Sequence, residues 1–150
     1  LETRIKFHSY YSNGNLKEVS QKDGTSTIYV WGYDNKHVVA KIDNATYKIG
    51  DPNVVTSSQE SLINNVISAA NNEYTSGDEN NLRTKLELLR SGFPKAQITS
   101  YTYDPLIGVT SITDPRGRTV FYEYDEFNRL KFVKDQEGNI LNENQYNYKN

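Results

Sequence analysis

The chain has 150 residues, 17 Lys and Arg against 19 Asp and Glu for a net charge of -2, and 35% hydrophobic residues. A mean hydropathy of -0.78, with no apolar run approaching about 18 residues, excludes a spanning helix, and no basic-then-apolar start marks a signal peptide. No basic cluster exceeds Arg116-Gly117-Arg118, so the electrostatic footprint of a nucleic-acid partner is missing, and the absence of Cys removes disulfides, thiolate nucleophiles and Cys-based zinc sites together.

The length suits a single domain burying about 70% of its unfolded surface, yet the apolar share points to a thin or shared core. Much of that share is 12 Tyr, 5 Phe and 1 Trp, rings with polar tips that suit half-buried strands. With no Met to start it, the chain reads as a processed product or, in the favoured reading, a piece of something longer.

Residues 1–50 form the first region, a β strip. Gly14-Asn15-Leu16-Lys17-Glu18-Val19 and Asp23-Gly24 supply turn and strand signals, and Tyr29, Trp31 and Tyr33 alternate onto one strand face. Tyr33-Asp34 closes this unit.

Over 51–96 the period changes from 2 to 3.6, and a helical hairpin insertion is expected. Ser57-x-x-Glu60 reads as a capping box. Leu62, Ile63, Val66, Ile67 and Ala70 then share one stripe, and Asn71-Asn72 ends the helix. Asp78 is the expected cap of a second helix with Leu82, Leu86, Leu89 and Phe93 on one face and Gly92 and Pro94 as stop signals, the polar loop 73–77 joining the two.

Residues 97–150 repeat internally. An offset of 21 lays Tyr103-Asp104 on Tyr124-Asp125, Val109 on Leu130, Ile112 on Val133, Asp114 on Asp135 and Gly117 on Gly138. In Thr119–Tyr124, Val120, Tyr122 and Tyr124 share a face. Asp-x-x-Gly at 114–117 and 135–138 provides the positive-φ residue of a hairpin turn, so each unit reads as strand, turn, strand. Tyr146-Asn147-Tyr148-Lys149 is expected to finish as a last repeat strand.

Tyr124-Asp125-Glu126-Phe127-Asn128-Arg129-Leu130, with Gly117-Arg118-Thr119 before it and Asp135-x-x-Gly138 after it, resembles the YD repeat of the Rhs family. The resemblance covers roughly residues 4–43 and 98–148, and Trp31-Gly32-Tyr33 with Ala40-Lys41-Ile42 looks like a variant seen in bacterial surface members. Gly commonly stands where this sequence has Asn128, and Asn tolerates the left-handed turn. The repeat motif on this reading is Tyr33, Asp34, Tyr103, Asp104, Gly117, Arg118, Tyr124, Asp125, Arg129, Leu130 and Gly138.

The resemblance implies a mainly β fold, an antiparallel hairpin strip forming part of a spiralling shell and interrupted by the helical hairpin. It implies a bacterial surface or secreted location and a non-catalytic structural role, and as partners the upstream repeats, an enclosed toxin-like cargo and a secretion machinery. The cargo-releasing cleavage region of that family is not recognisable, because Asp104-Pro105-Leu106-Ile107-Gly108 occupies the ordinary repeat slot.

The residues add little chemistry. His8 and His37 sit on different expected strands without Cys partners, and Asp104, Asp114, Asp125 and Asp135 recur periodically as turn residues rather than as an acid/base pair. No Gly-x-Ser-x-Gly elbow and no phosphate loop occur, so neither enzyme activity nor a cofactor is expected. The rival reading is a carbohydrate-binding or adhesion module stacking sugars on Tyr29, Trp31, Tyr33, Tyr122 and Tyr124.

Overall fold

A computed structural model describes residues 5–73 and 76–146. The fold is mainly β, an antiparallel hairpin strip with an inserted helical hairpin, and it divides into two compact units, residues 1–100 and 101–150, the boundary falling inside β5.

Unit 1 contains β1 (Ile5–Tyr10), β2 (Leu16–Gln21), β3 (Ser26–Gly32), β4 (His37–Asp43) and the start of β5 (Gln97–Asp104), each antiparallel to the next. Register sets its core: Ile28 opposes Ile42, Val30 opposes Ala40, and Ile42 opposes Ile98. These five side chains are buried. Between β4 and β5 the chain makes α1 (Ser57–Asn71) and α2 (Ser76–Gly92).

Helix α1 contributes Ile63, Val66, Ala69 and Ala70 to the buried set, while Leu62 and Ile67 of the expected stripe stay half-buried; α2 contributes Leu82, Leu86 and Leu89, with Phe93 just beyond. Where α1 meets β3 the approach is too close for a side chain, since a Cβ on Gly32 would stand 2.5 Å from that of Ala70.

The capping box of α1 lies one residue earlier than Ser57-x-x-Glu60. Thr56 is the extended N-cap, its hydroxyl accepting from the Gln59 N–H at 3.2 Å while its own N–H donates to Gln59 Oε1 at 2.9 Å. Ser57 is already helical, and Glu60 accepts instead from the Tyr47 hydroxyl at 3.0 Å. Asp78 does not cap α2, which begins at Ser76; it sits in the first turn, where a carboxylate suits the helix dipole. Tyr74 and Thr75 of the expected 73–77 loop lie outside the described residues.

Unit 2 contains the end of β5, β6 (Gly108–Thr113), β7 (Thr119–Tyr124), β8 (Leu130–Asp135) and β9 (Ile140–Glu143). Ile112 opposes Val120 and Tyr122 opposes Val133, so these four share a face and all are half-buried. The buried side chains described in this unit are hydroxyls: Thr102, Ser111 and Thr113. Thr102 is hydrogen-bonded to Ser111 and, at 2.8 Å, to Thr110, and Thr113 is bonded to Thr119 at 2.8 Å. Tyr146 lies beyond β9 and outside any strand, and Asn147–Lys149 of the expected last strand fall outside the described residues.

Candidate functional site

The repeated chemistry is a turn. At Asp125–Arg129 the Asp125 N–H donates to the Arg129 carbonyl at 2.8 Å, and the Asn128 N–H returns to the Asp125 carbonyl at 3.0 Å. Asn128 has φ 62°, the left-handed residue that lets a three-residue loop follow the strand twist. Asp125 Oδ1 accepts from the Phe127 and Arg129 amides at 2.8 and 3.0 Å, and Oδ2 from Arg129 Nε at 2.9 Å.

The same backbone pair recurs at Asp114–Arg118 and Asp135–Asn139, with Gly117 at φ 85° and Gly138 at φ 86° and with the aspartate accepting two amides each time. It recurs again in unit 1 at Tyr11–Asn15 and Gln21–Thr25, around Gly14 at φ 93° and Gly24 at φ 91°. There the first residue has no carboxylate, and the side chain two places on takes over: Asn13 Oδ1 and Asp23 Oδ1 accept from the amides of Asn15 and Thr25.

These bonds favour the charged carboxylates. At Asp23, Asp114 and Asp135 the backbone amides hold the carboxyl below its usual value of 3.8; at Asp125 desolvation pushes the other way, and the amides and guanidinium of the turn outweigh it.

The tyrosine of the Tyr-Asp pair has a separate task. Tyr124 reaches back across its unit, and its hydroxyl donates to the Val109 carbonyl at 2.7 Å. Gly108 admits it, since a Cβ there would stand 2.9 Å from the Tyr124 hydroxyl oxygen. The device repeats as Tyr146 to the Leu130 carbonyl at 2.7 Å, Trp31 Nε1 to Leu16 at 2.9 Å and Tyr11 to Tyr29 at 2.8 Å. Arg129 completes the motif, its guanidinium 4.0 Å from the Tyr146 ring centroid and 5.2 Å from that of Phe127.

The other motif positions are spread along the strip, Tyr103 and Asp104 at the end of β5, Arg118 before β7 and Leu130 at the start of β8. Asp104 accepts from the Leu106 amide at 3.0 Å in a looser turn, and Tyr103 stacks on Tyr101 with centroids 6.5 Å apart, its phenol pushed up to about 12 by burial and then by Tyr101. Arg118 stands 3.4 Å from Asp114 in an exposed pair, and Leu130 opens β8.

Tyr33 and Asp34 depart from the expectation. Strand β3 ends at Gly32, so Tyr33 does not share the face of Tyr29 and Trp31. With Asp34 and Asn35 it forms a run of left-handed residues at φ 54°, 56° and 67°. Such a conformation costs a non-glycine residue about 1–2 kcal/mol, and long-range partners hold it: the buried Tyr33 hydroxyl donates to Glu73, Asn71 Oδ1 accepts from the Asp34 amide at 2.8 Å, and Asn15 Nδ2 donates to the Asn35 carbonyl at 2.9 Å.

The five rings of the carbohydrate reading therefore occupy three settings. Tyr29 and Trp31 are half-buried on β3, Tyr33 is buried in its turn, and Tyr122 and Tyr124 belong to unit 2. His8 lies on β1 and His37 on β4, and among the described residues no group of three or more His, Cys, Asp or Glu is placed to hold a metal ion.

Sequence reasoning did not single out Gly108, although an isolated glycine opening a strand is a signal for close approach, nor Asn13, whose role required seeing that the turn tolerates its carboxylate substitute two places along. Residues 108–139 match a family model described as RHS Repeat, a stretch that takes in the Asp114, Asp125 and Asp135 turns. No curated protein matches the chain.

Proposed function

We propose that this chain, whose residues 108–139 match a family model described as RHS Repeat, is a non-catalytic segment of a shell wall that encloses or presents a toxin-like cargo, on a bacterial surface or in a secreted particle. The observation that carries the reading is the composition of unit 2. Its hairpins share one turn chemistry and one tyrosine-to-carbonyl tie, yet they bury hydroxyls rather than an apolar core, and Ile140 and Leu141 on β9 are 53% and 58% exposed. Hairpins of this kind gain stability from neighbouring repeats, and the exposed edge offers backbone groups to another strand. The partners are then the remaining repeats of the same protein, paired strand to strand.

Light scattering during size-exclusion chromatography tests this on the 150-residue chain. Self-association or a partly molten unit 2 is expected, relieved when flanking repeats are joined to it. A sharp monomer melting in one cooperative step overturns the shell reading. No described helix is long and apolar enough to cross a membrane.

A further inference from the structure

The turns of the two units place their side-chain acceptor differently. In unit 2 Asp114 and Asp135 stand three places before Gly117 and Gly138, so Arg116 and Glu137 directly precede the glycine; in unit 1 the acceptor is itself the residue before the glycine, at Asn13-Gly14 and Asp23-Gly24. That shift sets a carboxamide carbon, Asn13 Cγ, beside the backbone nitrogen of a residue with no Cβ to crowd it. The two groups belong to one chain, which removes the entropy of encounter, and the backbone freedom of glycine lets them approach. Asn13-Gly14 is the one Asn-Gly step in the sequence, both residues are exposed, and nothing lies within 4 Å of a Cβ built on Gly14, so water reaches the site.

Folding restrains the reaction that this pair can undergo. The Gly14 N–H donates to the Tyr11 carbonyl at 2.9 Å, and Asn13 Oδ1 accepts from the Asn15 amide at 2.9 Å. Attack on Cγ requires the Gly14 nitrogen to shed its proton and swing toward the side chain, so both bonds must open first. They sit in an exposed turn, where local opening costs less than in a core strand.

We propose that Asn13 is a self-modification site, converted to aspartate without an enzyme in a reaction that the folded turn slows and whose product the turn accepts. The Gly14 nitrogen, its proton taken by hydroxide, bonds to Asn13 Cγ; the Cγ–Nδ2 bond breaks, ammonia leaves, and a succinimide ring remains. Water then adds to a ring carbonyl and cuts its bond to the Gly14 nitrogen, so that one water is consumed and one ammonia released, with no change of oxidation state. Cutting at Cγ gives aspartate, and cutting at the main-chain carbonyl gives isoaspartate. Asp23 shows how the turn holds the first product: in the same backbone pair its Oδ1 accepts from the Thr25 amide at 3.0 Å. Aspartate at position 13 thus keeps the Asn15 bond and adds a negative charge to the hairpin tip. Isoaspartate lengthens the main chain inside the Tyr11–Asn15 pair and displaces Asn15, whose Nδ2 holds the Asn35 carbonyl of the left-handed run at 2.9 Å. The site does not depend on the shell reading.

Incubating the 150-residue chain at mildly alkaline pH in heavy-oxygen water, with and without urea, and mapping its peptides by mass spectrometry tests this. Label should enter at Asn13 ahead of every other asparagine, about tenfold or more faster in urea than in the folded chain. Asn13→Asp should melt at the temperature of the parent, whereas Asn13→Ala, which removes the acceptor, should melt lower. Labelling at Asn13 no faster than at Asn15, equal rates in the folded and unfolded chains, or an Asn13→Asp variant as destabilised as Asn13→Ala overturns the proposal.

Discussion

Every buried hydrophobic residue among the described ones lies at or before Ile98, in unit 1, whereas the buried side chains of unit 2 are Thr102, Ser111 and Thr113. Both units use the same five-residue turn and the same aromatic tie to a neighbouring carbonyl. Local chemistry therefore sets the hairpin, and what differs is whether anything covers the sheet. In unit 1 the helical hairpin removes an apolar face from water, at about 25 cal/mol per Å². In unit 2 the strand rings Tyr101, Tyr103, Phe121, Tyr122, Tyr124 and Phe132 stay half-buried, and hydroxyl ladders fill the dry positions. One strip can thus contain a segment with its own core and a segment whose stability depends on neighbours.

The contrast breaks most visibly at a core leucine. Leu82→Ala should cost about 2–5 kcal/mol, whereas Ile112→Ala, half-buried in unit 2, should cost about half that or less. Urea unfolding followed by Trp31, the one tryptophan and a reporter on unit 1, reads the first and should barely register the second. Gly32→Ala comes next, at about 1–3 kcal/mol, because its Cβ would press on Ala70 and on Val39 at 3.0 Å.

Gly117→Val and Gly138→Val should each lose a similar or smaller amount, about 1–3 kcal/mol, from backbone strain alone, since nothing lies within 4 Å of an added Cβ. Asn at either position should be nearly neutral in the same melt, as Asn128 already is at φ 62°. Equal losses with Val and Asn would show that contacts rather than φ set the cost.

The smallest effect concerns pH. Burial pushes the Glu73 carboxyl up to about 7 from its usual 4.5, with Glu79 and Asp78 adding and the Tyr33 hydroxyl and Arg83 opposing. The folded chain then binds this proton more tightly than the unfolded one, so stability falls as pH rises from 4.5 to about 7 and levels off above. The melting temperature of the native chain should drop relative to Glu73→Gln across that window. A constant gap between the two would refute the assignment.

How much of this the sequence discloses follows from the range of the interactions. The Asp-x-x-Gly turns, the Asn128 substitution and the α2 stripe through Leu82, Leu86 and Leu89 depend on a few adjacent residues, and all were legible. The capping box slipped by one because Thr56-x-x-Gln59 and Ser57-x-x-Glu60 both satisfy the pattern, and a distant hydroxyl, that of Tyr47, engages Glu60. The Tyr33 turn was misread as a repeat strand end because its left-handed run is enforced by Asn71 and Glu73, some forty residues away in sequence. Nothing local in residues 14–19 marks Glu18 for burial; register does, by placing it opposite Ile28.

Residue-resolved hydrogen exchange under native conditions, at a dilution where the chain is monomeric, tests the central contrast most directly. Amides of β3, β4, α1 and the first half of β5 should exchange at least about a hundredfold more slowly than those of β6 to β9, reflecting opening free energies that differ by about 3 kcal/mol. Equal protection across both units would contradict the account, because unit 2 would then possess a stability that its buried hydroxyls and turns do not supply.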